Sequence, residues 1–257
     1  MSQDSTTYLA KKRFFGRMLT IFGRKPVLEA LQDRKLKPFR LHLAESNREG
    51  GILDEILSAA KQRGVEVLYH DKQALSRISK NAKQDQGVAL DIECEGFTDV
   101  EDLLNDLPAE LELMALDSVT NPQNLGMIIR SVCASPMTGI LLPEKGCARL
   151  DALVIKASAG TLFRAKIFRC RDLAETLKKF AAQKCAIYGL DANAKESIAT
   201  LATNSRSIFV MGNETAGLSP AVRAACTHQV SIPMCNGVES LNVSVAASLL
   251  AFRRLFR

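Results

Sequence analysis

The sequence predicts an α/β protein in two parts, a small mixed N-terminal unit and a larger unit built on a parallel sheet. Three observations carry that expectation. Apolar runs of strand length alternate with helical stretches along most of the chain, a pattern that gives parallel strands with helices on both sheet faces. The alternation breaks at residues 94–110, an acidic stretch with Gly96 and Pro108, and restarts more strictly at Leu111. At 257 residues, 47% hydrophobic and 24% charged, the chain is long for one domain and can bury two cores.

Residues 1–20 are a basic arm. Ile21–Leu31 (IFGRKPVLEAL) opens a helix, with Pro26 in a first turn and Val27, Leu28 and Leu31 at helical spacing. Pro38–Ala44 alternates like a strand, and Ile52–Gly64 is an amphipathic helix closed by its glycine. Val65–Tyr69 is a strand, Asp71–Lys80 a short helix and Gly87–Glu93 a third strand, which completes a unit over residues 21–95. Residues 96–110 read as a linker with one short helix. The second unit, 111–257, has strands at Leu111–Asp117, Thr138–Pro143, Ala165–Cys170, Cys185–Asp191, Ser207–Gly212 and His228–Met234. Helical stretches separate them, and Ser240–Arg257 closes the chain.

The net charge of +6 lies at one end: residues 1–40 hold ten Lys or Arg against three acids, and the remaining 217 residues sum to −1. A basic end of this kind either meets a phosphate backbone or is a solvated tail. Lys11, Lys12, Arg13 and Arg17 also raise an organellar targeting segment, but Asp4 and the lack of a Ser/Arg-rich amphipathic pattern favour an RNA-contacting arm. The seven cysteines form no CxxC pair and there are three histidines, so neither a disulfide framework nor a metal site is expected. Reduced thiols imply a cytoplasmic protein. No apolar run reaches the length of about 18 residues that a membrane span needs, so no membrane partner is expected.

In open α/β sheets ligands bind beyond the carboxyl ends of the strands, and several of those loops are unusual. After Leu111–Asp117, Asn121-Pro122 marks a turn, Asn124 and Gly126 lie near a helix start, and Arg130 sits in an apolar stretch, where a snorkelling arginine is the plain alternative. After Ser207–Met211, Gly212 permits a sharp turn or close approach, Glu214 follows, and Ser219-Pro220 starts a helix. After His228–Met234, Asn236-Gly237 requires a tight turn with positive φ, and Ser240, Asn242 and Ser244 open an otherwise apolar helix, so they cap it or face a ligand. Each loop is a weak signal. Three in order are a strong one.

Residues 124–130 (NLGMIIR), 212–218 (GNETAGL) and 232–246 (IPMCNGVESLNVSVA) resemble the three signature motifs of the SpoU/TrmH RNA methyltransferases, in order and spacing. Residues 21–31 and Gln86-Gly87-Val88-Ala89 resemble the family's substrate-binding domain, related to ribosomal protein L30e. Within the family the arrangement is most like the bacterial branch that methylates a guanosine ribose in large-subunit ribosomal RNA. The resemblance implies a C-terminal deep trefoil knot, an exception to the rule of unthreaded chains, a homodimer built through the knotted domain, and S-adenosyl-L-methionine as cofactor. It maps cofactor contacts onto Gly212, Ile232 and Leu241, with Leu190, Met211 and Met234 as neighbours, and catalysis onto Arg130, Asn124, Glu214, Ser240 and Asn242. Arg24, Lys25 and Arg13 become the expected RNA contacts. Three positions depart from the pattern. Pro136 replaces a usual glycine, so its helix should end nearby; Cys-Asn-Gly at 235–237 shifts a glycine by one position; Asp85 replaces a frequent histidine.

The implied reaction is attack of a ribose 2′-hydroxyl on the sulfonium methyl group, for which the hydroxyl must lose its proton or have its developing charge stabilised. Arginine ordinarily keeps its proton, with a reference pKa above about 12. Arg130 is therefore either a transiently neutral base or a fixed cation, and the sequence leaves both open. Ribosomal RNA is the expected partner, with transfer RNA methylation or a non-catalytic ribosome-assembly role as alternatives. The absence of GxGxxG after the first strand argues against a dinucleotide-binding dehydrogenase.

Overall fold

The computed structural model describes residue 11 and residues 14–48, 50–201 and 204–256. Arg13 lies outside them. The chain divides into two compact units, Met1–Glu95 and Gly96–Arg257.

In the first unit the order is β1 (Met18–Phe22), α1 (Arg24–Gln32), β2 (Lys37–Ala44), α2 (Ile52–Gln62), β3 (Glu66–His70), α3 (Lys72–Ser79) and β4 (Val88–Glu93). These strands form a sheet in the order β1-β4-β2-β3, with β1 and β2 antiparallel to β4 and β3 parallel to β2. No strand is expected at 18–22 from the apolar pattern. One forms because Leu19 and Ile21 alternate into the core, a pattern only five residues long and framed by Arg17 and Arg24. Gly64 closes α2 in the left-handed region at φ 64°, with Val65 N–H returning to the Ala60 carbonyl. Asp71 caps α3, accepting from Ala74 N–H at 2.7 Å.

The second unit runs β5 (Phe97–Asp99), α4 (Val100–Asn105), β6 (Leu111–Leu116), α5 (Pro122–Cys133), β7 (Gly139–Pro143), α6 (Ala152–Ala157), a 3₁₀ turn at Thr161–Arg164 and β8 (Ile167–Cys170). It continues with α7 (Leu173–Ala182), β9 (Ala186–Leu190), β10 (Glu196–Ser197), β11 (Arg206–Met211), α8 (Pro220–Ala225), β12 (His228–Ser231), α9 (Val243–Phe252) and a closing 3₁₀ turn at Arg253–Leu255. Among the described residues its strands form one eight-stranded sheet, β10-β12-β9-β11-β6-β7-β8-β5, in which every pairing is parallel. Residues 96–110 are therefore not simply a linker. β5 pairs with β8 at the sheet's edge, Phe97 is fully buried, and Val100 and Leu104 join the core. The acidic composition hides this, because one buried aromatic in a three-residue strand leaves no alternation to see.

Alternation along the strands builds the two faces. Leu111, Leu113, Ala115, Ile208 and Val210 pack with Val100 and Leu104 of α4, Leu177 and Phe180 of α7 and Val222 of α8. On the other face α5 packs against α6 and α9, and the chain end returns to β6: Arg253 Nη2 donates to Glu112 Oε1 at 2.8 Å and Arg254 pairs with Glu112 Oε2 at 2.7 Å. The Arg253 guanidinium also lies over the Phe209 ring, 4.6 Å from its centroid. Close approach of α5 and α6 depends on Gly126, where a Cβ would lie 2.5 Å from Ala157 Cβ and 2.8 Å from the Val154 carbonyl oxygen. α5 stops at Cys133, three residues before Pro136, as that proline requires.

Candidate functional site

Strands β12, β9, β11 and β6 are consecutive in the sheet, so the loops after their carboxyl ends are neighbours. The loop after β6 turns through Ser118 (φ 60°), and Asn121 then caps α5, its Oδ1 accepting from the N–H groups of Gln123 (2.8 Å) and Asn124 (3.4 Å). Pro122 supplies the first helical φ. This places the Asn124 side chain in the first turn of α5, 6% exposed.

The loop after β11 begins at Gly212, where a Cβ would lie 2.3 Å from the Gly217 carbonyl carbon, so no side chain fits. Asn213 and Gly217 exchange backbone hydrogen bonds at 2.9 Å, and Asn213 Oδ1 accepts from the N–H groups of Thr215 and Ala216. Two residues fasten this hairpin to the end of β6. Asn213 Nδ2 donates to the Ser118 carbonyl at 2.9 Å, and Asp117 Oδ2 accepts from Ser219 N–H at 2.6 Å. Beyond β12, Asn236 (φ 56°) and Gly237 (φ 72°) make the expected left-handed turn, closed by Val238 N–H to the Cys235 carbonyl. Asn242 then caps α9, its Oδ1 accepting from Ser244 N–H at 2.9 Å and Ser244 Oγ at 2.6 Å.

A hydrogen-bonded row joins the three loops. Asn124 Nδ2 donates to Glu214 Oε1 at 2.5 Å, and Asn242 Nδ2 donates to Asn124 Oδ1 at 3.1 Å. The structure thus brings Asn124, Glu214 and Asn242 together. Ser240 and Arg130 stand apart: both are exposed, and among the described residues neither side chain has a hydrogen-bonding or ionic partner. Arg130 shares the exposed face of α5 with Met127, which is 41% exposed.

The residues expected to hold a cofactor lie along neighbouring strand ends. Leu190 is paired with Val230, and Val210 with Gly189, so Met211 and Gly212 run out beside Leu190, and Ile232 and Met234 follow β12. Leu190, Gly212, Ile232 and Met234 are half-buried, and Leu241 is 37% exposed; Met211 is 2% exposed and is a core residue. Apolar surface left uncovered at strand ends suits an adenine ring. At the same edge Asp191 pairs with Arg223 of α8, and the Asn193 backbone N–H, with that guanidinium, holds its carboxyl below the usual range.

In the first unit Arg24 is already engaged. Its Nε donates to the Gln86 carbonyl at 3.4 Å and its Nη2 to Asn47 Oδ1 at 3.3 Å, while Lys25 is exposed. Gln86 (φ 52°) and Gly87 (φ 75°) form a left-handed turn that Asn47 Nδ2 also grips, at the Gly87 carbonyl, 2.7 Å. Asp85, in place of the frequent histidine, is buried, accepting from Ser79 Oγ at 2.8 Å and Gly87 N–H at 3.0 Å. Sequence reasoning does not find Asp117, Asn213 and Arg223 as supports. Asn213 lies within the second motif and Asp117 ends the strand that leads to the first, which are the signals that could have found them.

Among the described residues no group of three or more His, Cys, Asp or Glu side chains could hold a metal ion, and no helix is long and apolar enough to cross a membrane.

Residues 111–252 match the family model of the SpoU rRNA methylases. The chain belongs to the SpoU rRNA methylase family. Residues 20–95 match the model described as the RNA 2′-O ribose methyltransferase substrate-binding domain. An uncharacterised tRNA/rRNA methyltransferase of Mycolicibacterium gilvum is 35% identical over 233 residues, 90% of this chain and 74% of the relative. One of Mycobacterium leprae is 36% identical over 234 residues, 90% and 75% of the two chains. The AdoMet-bound rRNA methyltransferase of Sinorhizobium meliloti superposes with a TM-score of 0.61 at 22% identity, over 98% of this chain and 92% of that one. The SpoU methyltransferase AviRb of Streptomyces viridochromogenes does so at 0.60 and 21%, over 98% and 95%. These likenesses show the fold. As a SpoU methylase, the protein is an RNA methyltransferase with a substrate-binding first unit and a catalytic second one.

Proposed function

We propose that the protein transfers the methyl group of S-adenosyl-L-methionine to a ribose 2′-hydroxyl in RNA, at a guanosine of large-subunit ribosomal RNA. The observation that carries the reading is the row Glu214–Asn124–Asn242, which draws three separate loops together at the carboxyl ends of adjacent parallel strands. Gly212, Leu190, Ile232, Met234 and Leu241 would hold the cofactor, which supplies an already activated methyl group. What remains for the protein is positioning and charge control. Asn124 and Asn242 orient the ribose or its phosphate from a row whose donors and acceptors are fixed. Glu214 anchors the second motif loop to α5. Arg130, exposed and without a partner among the described residues, acts as the fixed cation beside the developing alkoxide, and Ser240 meets substrate or Arg130 once the site is complete.

A homodimer supports that completion. Met127 on α5 and Val245 and Leu249 on α9 are 41%, 47% and 46% exposed, an apolar face adjoining Arg130 that a second copy would cover. One subunit's Arg130 would then serve its partner's cofactor site. A trefoil-knotted chain end is part of this reading; the packing of α9 on α5 and of Arg253 on Glu112 of β6 is compatible with it. Arg24, Lys25 and Arg13 are the proposed RNA contacts, with Arg24 also securing the Gln86–Gly87 turn. None of the seven cysteines forms a disulfide, which supports a cytoplasmic location.

Arg130→Ala tests the assignment. Methylation should fall by about a hundredfold or more, as for loss of one charge-stabilising donor, while thermal stability and calorimetric cofactor affinity stay at the wild-type values. Activity retained in that variant would overturn the role given to Arg130.

A further inference from the structure

Ser244 lies outside the catalytic set that the family resemblance maps, yet it ends the row that joins the three loops. It is 4% exposed at the start of α9, and two of its groups converge on one atom: its backbone N–H and its hydroxyl donate to Asn242 Oδ1 at 2.9 and 2.6 Å. A primary amide can turn end for end, and what its oxygen accepts decides which way it points. With Oδ1 held by two donors, Asn242 must present its NH₂ outward, and it does so to Asn124 Oδ1. Asn124 must then turn its own NH₂ away, toward Glu214, whose carboxylate can only accept. The polarity of the row is thus set consistently from both ends, by Ser244 at one and Glu214 at the other.

The same serine also lies at the head of a second tie between the helices. Its carbonyl accepts from Ser248 Oγ at 2.8 Å, and the Ser248 oxygen is 2.8 Å from Ser131 Oγ on α5. Since the one Ser248 hydroxyl proton is used on Ser244, Ser131 is the donor in that pair. Ser131 directly follows Arg130. Two polar rungs therefore hold α9 against the helix that bears Asn124 and Arg130, and both run through Ser244.

We propose that Ser244 is a positioning residue for methyl transfer, setting the orientation of the Asn242 and Asn124 amides through its hydroxyl without touching substrate. The inference rests on the methyltransferase reading above. Backbone rungs survive in Ser244→Ala, because the N–H and carbonyl remain; only the hydroxyl donor is lost. The expected effect is a fall in kcat of about five- to tenfold, the scale of one net hydrogen bond, with KM for the cofactor unchanged.

The test is steady-state methylation of RNA by wild type, Ser244→Ala, Asn242→Ala and the double variant, with Ser244→Thr as the hydroxyl-keeping control and thermal unfolding of each. The expected results are lower kcat in Ser244→Ala, recovery in Ser244→Thr, and no further loss when Ser244→Ala is added to Asn242→Ala. Additive losses, or a Ser244→Ala variant as active as wild type, overturn it. Should the alanine variant not fold, Ser244→Cys keeps the volume with a weaker donor and carries the same expectations. Wild type inactive on every RNA would instead count against the methyltransferase reading, which separates the two failures.

Discussion

Asn124→Asp replaces one NH₂ group by oxygen and changes little else in shape. The group lost is the one that Glu214 Oε1 accepts at 2.5 Å, while Asn242 Nδ2 could still donate to the other oxygen. Two carboxylates would then be in contact. Like charges about 4 Å apart near a protein surface repel by about 4 kcal/mol at an effective dielectric of about 20. Asn124 is 6% exposed but Glu214 faces solvent, so screening leaves roughly half of that, about 2 kcal/mol. Loss of a hydrogen bond to a charged group adds about 2 kcal/mol. The variant should therefore be less stable than wild type by about 4 kcal/mol at about pH 8.

Acid should relieve this cost. The new carboxyl has a folded-state pKa above its unfolded one, so the penalty is full at high pH and fades as pH falls through the folded value, where one shared proton restores a donor. Urea unfolding of both proteins between about pH 8 and pH 4.5 should show the gap closing to about 1 kcal/mol. A variant as stable as wild type at high pH, or a gap that does not change with pH, would refute the Asn124–Glu214 contact.

Three further outcomes follow from the packing. Gly126→Ala should lower stability by about 1–3 kcal/mol by overpacking, since its Cβ would lie 2.8 Å from a backbone oxygen of α6; a thermal melt matching wild type would contradict the close approach. Glu112→Ala strands the Arg253 guanidinium, with side-chain exposures of 5% and 6% in the pair, and should cost about 3–5 kcal/mol in denaturant unfolding, against about 1 kcal/mol for a surface pair. In the first unit, Asp91 accepts from Thr20 Oγ1 and lies 3.0 Å from His42 Nε2, and His42 Nδ1 lies 2.9 Å from His70 Nε2. Burial would raise the Asp91 carboxyl, but hydrogen bonds from His42 and Thr20 outweigh it and hold it low; burial, then His42, lowers His70. A neutral folded-state His70 makes stability fall as pH drops below the ordinary histidine value of 6.5, and Asp91 adds a loss below the ordinary 3.8. His70→Gln should remove the first of these losses from the pH dependence of urea unfolding, and an unchanged profile would contradict it.

Much of the fold is legible in the sequence. The regular elements of 111–257 stand where apolar alternation puts them, because a buried parallel strand must be apolar on both faces and its helices on one. What escaped is what pattern does not encode. β5 and β10 are short, and β1 carries its two buried residues inside a basic stretch. At the site, Asn124, Glu214 and Asn242 come together across separations of 90 and 118 residues, and sequence order alone does not say that their amides share one row. Met211, expected beside a cofactor, ends β11 with its side chain 2% exposed, and a methionine at a strand end serves core or ligand equally well until the neighbouring strand is known. Gly126, expected near a free helix end, proves to be a packing residue between α5 and α6.

Ribose methylation of RNA is decided by where a transferred methyl group lands. The purified protein is incubated with tritiated S-adenosyl-L-methionine and, separately, unmodified ribosomal and transfer RNA, and the labelled nucleosides are identified. The expected product is 2′-O-methylguanosine in large-subunit ribosomal RNA; label in transfer RNA ribose would keep the chemistry and move the substrate. Label on a base, or no label in either RNA, would contradict it.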